Sequence, residues 1–347
     1  MSTASSGLDA NGRAMAIRER LPQLGFGAAQ LGNLFHAISD DEAAAAVGAA
    51  WDLGVRYFDT APFYGLGLSE RRLGEALAGR PRNDYLISTK VGRLLEPSPK
   101  TADHRDETFD VPADHVFRWD FSRDGIRRSL EGSLDRLGLD HIDIVFLHDP
   151  DDHWHDASTS GIRALLELRA EGIVGSIGAG MNQSAMLAEF VRDGLVDVVM
   201  LAGRFTLLDQ SARHDLLPAA REHGVAVVAA GVYNSGILSQ PTVSDDARYH
   251  YTPTPAEVRD RARAIAAVCE SFGVSLPAAA LQFPLRDPAV SSVVVGLRTA
   301  QQVADTVARA AAPVPNELWG ELERQGLVST IDVSDRSGGG LDLTGEI

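Results

Sequence analysis

The chain has 347 residues, 44% of them hydrophobic, with 48 acidic against 32 basic side chains and a formal charge of −16. Such a surface repels phosphate backbones and argues against nucleic acid as a partner, and no apolar run is long enough to span a bilayer. The single cysteine, Cys269, excludes an internal disulfide and fits a reducing cytoplasm.

Residues 1–20, MSTASSGLDANGRAMAIRER, lack the apolar core of a secretion signal and are expected to form a flexible N-terminus. Strands are then predicted at QLGFGA (23–28), VRYF (55–58), YLIST (85–89) and IDIVFL (142–147). Four more follow at IVGSIG (173–178), VDVVMLA (196–202), VAVVAA (225–230) and SSVVV (291–295). Amphipathic stretches fill the gaps, among them DDEAAAAVGAAWDLG, SRDGIRRSLEGSLDRLG and TAQQVADTVARAA. Several open on Ser, Asp or Thr and close on Gly, as capped helices do. Cys269 falls in one of them, RARAIAAVCESFG, as a buried structural thiol. The tail 332–347 reads as flexible, which leaves 21–331 as the domain.

Unbroken apolar strands are buried on both faces, which means a parallel sheet. About eight βα units in roughly 250 residues then predict a closed (β/α)8 TIM barrel. The competing open, doubly wound sheet needs G-x-G-x-x-G, and GFGAAQ (25–30) places Gln30 where the last glycine belongs. Two long segments, 91–122 and 231–254, leave from strand C-terminal ends. Barrels build their active sites on that face, so both are expected to act as substrate lids.

The residues at the strand ends form a chemical set. The second strand delivers Asp59 and then Tyr64, the third ends in Lys90, and the fourth ends in His148. A tyrosine with a pKa of about 10 is a poor acid or base at neutral pH, and a neighbouring ammonium is expected to lower that value. A carboxylate can hold the ammonium, and an imidazole can orient a substrate oxygen. Each residue also has a plainer reading: a packed tyrosine, a lysine reaching solvent, a structural histidine. Their shared rim favours proton transfer at a carbonyl or alcohol oxygen.

On these residues the sequence resembles the aldo-keto reductase family. GVRYFDTAPFYGLGLSERRLGEAL (54–77) is similar to that family's first signature, and STK (88–90) and IVFLH (144–148) to its next two segments. The resemblance runs from LGFGAAQLGN (24–33) to VVVGLRTAQQV (293–303). It implies the same barrel, a nicotinamide cofactor (NADP or NAD) across the C-terminal rim, and a catalytic tetrad of Asp59, Tyr64, Lys90 and His148. Implied cofactor contacts are Gly27, Asp59 and Asn182, then Gly231, Val232, Tyr233, Asn234, Ser235, Gly236 and Leu238 for the pyrophosphate. Gly296, Arg298 and Gln302 would meet the adenosine phosphate end, with Arg298 on a 2′-phosphate. Gly231 stands where the family has its stacking tyrosine, leaving Val232 or Tyr233 to cover the ring.

HDPDDHW, GAGMNQ, AGRFTLLDQ and GVYNSGIL resemble the branch that oxidises the cyclic hemiacetal of an aldose, or of pyridoxal, to a lactone. The small-molecule partner is then a sugar or an aldehyde, and Trp119, Trp154 and His36 are the candidate substrate contacts. The run HDPDDHWH (148–155) invites a metal-site reading, but a proline-containing acidic loop lacks fixed ligand geometry and no metal is expected. An NADPH-dependent aldehyde or ketone reductase would use the same residues in reverse. A cofactor-binding regulatory subunit and a nicotinamide-free lyase or isomerase are the rivals outside this class. Oligomeric state stays open.

Overall fold

The computed structural model describes residues 10–331. All eight expected strands are present and close into a parallel barrel. They are β1 (Leu24–Gly27), β2 (Tyr57–Asp59), β3 (Leu86–Val91) and β4 (Ile142–His148). β5 (Val174–Met181), β6 (Val198–Ala202), β7 (Ala226–Ala230) and β8 (Val290–Gly296) complete it. β8 closes on β1, with Leu24 opposite Val293 and Gly27 opposite Gly296. The intervening helices follow the amphipathic stretches, and their caps are legible: Ser39 forms a capping box with Glu42, and Ser122 and Thr299 each cap their own helix. The helices Leu276–Gln282 and Asn316–Arg324 lie outside the stretches that the sequence reading marks as helical. No single helix among the described residues is long and apolar enough to cross a membrane.

Side chains alternate in and out along each barrel strand. Tyr57, Leu86, Ile144, Phe146, Val198 and Val228 meet in an inner core, separate from the larger core between sheet and helices. Two residues further on, the same inward parity brings Asp59, Ser88 and His148 to the upper layer, and Lys90 follows Ser88. The strand period therefore carries the chain from an apolar floor to a polar mouth.

The floor corrects one expectation. Residues 10–20, expected to be flexible, form a helix, Ala10–Arg20; residues 1–9 and the tail 332–347 lie outside the described residues. Ile17 and Leu21 enter the inner core, and Ala14 is buried beside them. Their i, i+3, i+7 spacing places all three on one helix face. Charge anchors the same helix. Arg20 reaches the buried Asp143, which also binds Arg82 at 2.6 Å and the Ile87 N–H at 2.9 Å. Arg13 reaches the buried Asp197, held by Arg169 at 2.5 Å and the Ile177 N–H at 3.0 Å. Removing one partner of a buried pair strands the other, so Asp197→Ala is expected to cost about 3–5 kcal/mol. The check is the chemical-denaturation midpoint, and a loss below about 1 kcal/mol would show that Asp197 is not a structural anchor.

Both long segments rise from the C-terminal rim. In the first, Arg93–Pro97 pairs antiparallel with His115–Trp119, placing Arg93 opposite Trp119. In the second, Arg248–Tyr249 pairs with Thr252–Pro253.

Candidate active site

Asp59 is the hub of the barrel mouth. One carboxylate oxygen accepts from Lys90 Nζ at 2.7 Å, the other from Ser88 Oγ at 2.7 Å. Lys90 also donates to the Thr60 carbonyl at 2.9 Å, and both members of the pair are buried. Burial alone would pull the lysine down, but the Asp59 carboxylate and Tyr64 overcome it and hold the ammonium above the ordinary lysine range. Lys90 is thus a fixed cation.

Tyr64 comes from the turn after β2, not from a strand. Gly65, at φ 63°, lets this turn lie against the β1 loop, where a Cβ would come within 2.4 Å of the Gly32 carbonyl oxygen. The following helix, Leu68–Leu77, secures the turn. Ser69 bonds the Ala28 carbonyl, buried Glu70 takes Thr89 and Arg136, and Arg72 reaches the carbonyls of Leu31 and Ile38. Lys90 Nζ then lies 4.7 Å from the Tyr64 ring centroid. The expected lowering of the tyrosine pKa is not the net result. The residue as a whole is half-buried, but the phenol's surroundings are desolvated; burial raises its pKa above the usual value, and the pull of Lys90 only reduces that rise.

His148 is buried, with its ring 6.0 Å from that of Tyr64 and perpendicular to it. Burial, reinforced by Arg93 and Lys90, holds the imidazole well below its usual pKa, so it is neutral at pH 7. Nδ1 is buried without a protein partner, and Nε2 lies 3.5 Å from Asp149 Oδ2. The four predicted catalytic residues therefore line one cavity of about 600 Å³.

A groove of about 710 Å³ continues from it, sharing Gln30, Phe35, Gly231, Tyr251 and Gly296. Of the expected cofactor contacts, Gly27, Asp59 and Asn182 line the cavity, and Val232, Tyr233, Asn234, Ser235, Gly236 and Gln302 line the groove. Gly231 and Gly296 border both. Two expectations fail. Leu238 is fully buried in the core and its N–H is spent on the Tyr233 carbonyl. Arg298 lines neither space; its guanidinium donates to the Leu34 carbonyl at 3.1 Å, strapping the β8 loop to the β1 loop.

The substrate assignments change as well. His36 borders the groove, not the catalytic cavity. Trp154 packs edge-on against Phe190 at 4.7 Å, on the helical side of the rim. Trp119 stands behind Arg93, 4.6 Å from its guanidinium, and does not itself line the cavity. The aromatic walls are instead Phe35, Phe63, Phe109 and Tyr251, with Arg93 and Asp149 as additional charged groups. Loop aromatics carry no sequence signal for the side they present, but Asp149 could have been found by its place directly after His148. His153, from the acidic loop, packs against Trp119 at 5.1 Å, and no metal-holding cluster occurs among the described residues.

A fixed ammonium under a phenol, beside a neutral imidazole, is suited to moving a proton on and off oxygen while hydrogen is exchanged at the adjoining carbon. On a (β/α)8 barrel that defines a class, the barrel oxidoreductases. Comparison with known sequences makes the assignment specific: the Aldo/keto reductase family model matches residues 23–325, and the chain belongs to that family. It is 49% identical to a D-threo-aldose 1-dehydrogenase of Pseudomonas sp over 314 residues, 89% of this chain and 95% of the relative. A pyridoxal 4-dehydrogenase of Microbacterium luteolum is 38% identical, covering 88% of this chain and 94% of the relative. Among solved structures, the holo form of an aldo-keto reductase from Bacillus halodurans superposes with a TM-score of 0.71 at 27% identity, covering 88% and 92% of the two chains.

Proposed function

We propose that this enzyme oxidises a cyclic aldose at its anomeric carbon to a lactone, using NADP or NAD. The observation that carries the reading is the buried Lys90–Asp59 pair beneath Tyr64, in a cavity continuous with a second groove. The groove fits a dinucleotide: Gln30 Oε1 and Asn234 Oδ1 are buried along it without protein partners. Gly296 borders it against Gln30, where a Cβ would come within 2.6 Å of Oε1 and displace that side chain. Gln30, Asn234 and the 231–236 segment would hold the cofactor, whose nicotinamide, when bound, supplies the hydride acceptor.

The remaining chemistry belongs to the chain. Neutral His148 donates a hydrogen bond to the reacting oxygen and fixes its position. Tyr64 takes the hydroxyl proton as the anomeric C–H bond breaks and the C=O bond forms. Lys90 stabilises the phenolate that accepts this proton, and Asp59 keeps Lys90 in place. No activated water is required. The likeness to a D-threo-aldose 1-dehydrogenase supports the substrate class, and the likeness to a pyridoxal 4-dehydrogenase keeps pyridoxal, with its internal hemiacetal, as the second candidate.

The test is a panel of L-fucose, D-arabinose, L-galactose and pyridoxal with each cofactor, products followed by NMR. A lactone from at least one aldose is expected. If none forms while simple aldehydes are reduced to alcohols, the enzyme is a general reductase.

A further inference from the structure

Beside the tetrad, the cavity holds an ion pair that the chemistry above does not use. Arg93 Nη2 donates to Asp149 Oδ2 at 2.5 Å. Three rings confine the guanidinium, with Phe63 at 4.4 Å, Trp119 at 4.6 Å and Phe117 at 5.4 Å from its central carbon. The register of the rim hairpin explains part of this cage, because Trp119 is the cross-strand partner of Arg93. Asp149 follows His148 directly and sits at φ 43°, a left-handed conformation that Asp tolerates at some cost. Its N–H is fixed to the Gly180 carbonyl at 2.9 Å.

Burial disfavours both charges, raising the Asp149 carboxyl against the pull of Arg93 and lowering the guanidinium against the pull of Asp149. Desolvated pairs of this kind contribute little net stability, and apolar replacements often do as well. Stability therefore does not explain a caged, conformationally strained pair on the wall of a cavity. Recognition does. Asp149 remains 32% exposed, and its protein contacts fall on one oxygen, Oδ2. An ionised carboxylate only accepts hydrogen bonds, so its complement on a ligand is a hydroxyl or amine donor.

We propose that Asp149, clamped by Arg93, is a specificity-determining residue that accepts the hydroxyl on the carbon next to the reacting one. This rests on the proposed function for the site and deepens it. Asp149 Oδ2 lies 3.5 Å from His148 Nε2. With His148 on the reacting oxygen, the next donor within reach of Asp149 is on the adjacent carbon. A substrate lacking that hydroxyl leaves Oδ1 of a partly desolvated carboxylate without a donor when it closes over the site, and sites built to bind a hydroxyl reject analogues without it strongly. Arg93 acts as a positioning residue, since the aromatic cage fixes the fork that fixes the carboxylate.

The experiment compares L-fucose with 2-deoxy-L-fucose in the wild type, Asp149→Ala and Asp149→Asn, with cofactor titration as the check on folding. In the wild type kcat/KM is expected to favour the hydroxylated sugar by about 10² or more. Asp149→Ala should bring the two within about tenfold, mainly by raising KM for the hydroxylated sugar, and Asp149→Asn should fall between. A role for Asp149 only in supporting His148 would lower both substrates together and leave their ratio intact, which overturns the proposal. So does a wild type indifferent to the hydroxyl. If no aldose is oxidised at all, the proposed function fails on its own. The pair is then judged by reduction of glyceraldehyde against propanal, where the same ratio is expected to collapse in Asp149→Ala and an unchanged ratio overturns the assignment.

Discussion

Tyr64→Phe should leave the fold and the cofactor dissociation constant nearly unchanged while turnover falls by about 10²–10⁴, the usual worth of a general acid or base. The substitution removes one hydroxyl and keeps the ring. That ring supplies the packing: against Phe109 at 6.3 Å, against His148 at 6.0 Å, and over Lys90 at 4.7 Å. The Gly32–Gly65 backbone contact, which seats the turn, is untouched. Turnover and cofactor titration, with a deuterium label on the transferred hydrogen, separate the chemical step from product release. A variant that keeps most of its turnover, with a full isotope effect showing hydrogen transfer to be rate-limiting, takes Tyr64 out of the role.

The barrel was legible because its signal is repeated and local. Eight apolar runs alternating with capped helices leave few topologies, and the closed sheet has the predicted strands in the predicted places. The tetrad was legible for a related reason. Strand parity brings Asp59, Lys90 and His148 to the mouth, and the segment around Tyr64 is rich in residues that can be assigned, including the Ser69, Glu70 and Arg72 tethers. Outside the repeat, reading by residue type failed. By residue type, Trp119 and Trp154 suit a sugar wall because an aromatic face suits C–H groups. Which way a loop tryptophan faces depends on hairpin register and on neighbours such as Phe190, and neither has a periodic signal. The charge of Arg298 points to a phosphate, yet one of its guanidinium nitrogens donates to the Leu34 carbonyl. The N-terminal helix was hidden by the polar residues ahead of it, although Ala14, Ile17 and Leu21 carry a helical spacing. Arg93 and Asp149 were missed because arginines in loops and acids in DPDD runs are usually solvated. Only the closure of the rim makes them neighbours.

The raised pKa of Tyr64 gives the second large effect, a pH profile with a definite sign. Oxidation needs the deprotonated phenol. Burial places the folded pKa above the ordinary tyrosine value, so at neutral pH nearly all of the residue carries its proton. The competent fraction then grows with pH, and kcat/KM for oxidation should climb close to tenfold per pH unit from about pH 6 to pH 9, without a plateau. Reduction uses the protonated form, already present, and should stay level until the pH approaches the phenol's own value. His148 does not interfere, because its pKa is held well below the usual range and it remains neutral throughout. Lys90 is the group that limits the rise in the tyrosine pKa, because its positive charge favours the phenolate. Lys90→Met should therefore move the oxidative limb to higher pH and lower the rate at pH 8 by about 10–10³. That variant also strands the buried Asp59 carboxylate, so Asp59→Asn/Lys90→Met is the better-folded comparison; it should show a smaller displacement in the same direction, because the Asp59 charge that raises the tyrosine pKa is lost with the lysine. An oxidative profile that is flat between pH 6 and 9 in the wild type, with hydrogen transfer rate-limiting, would mean that Tyr64 is not the group that takes the proton.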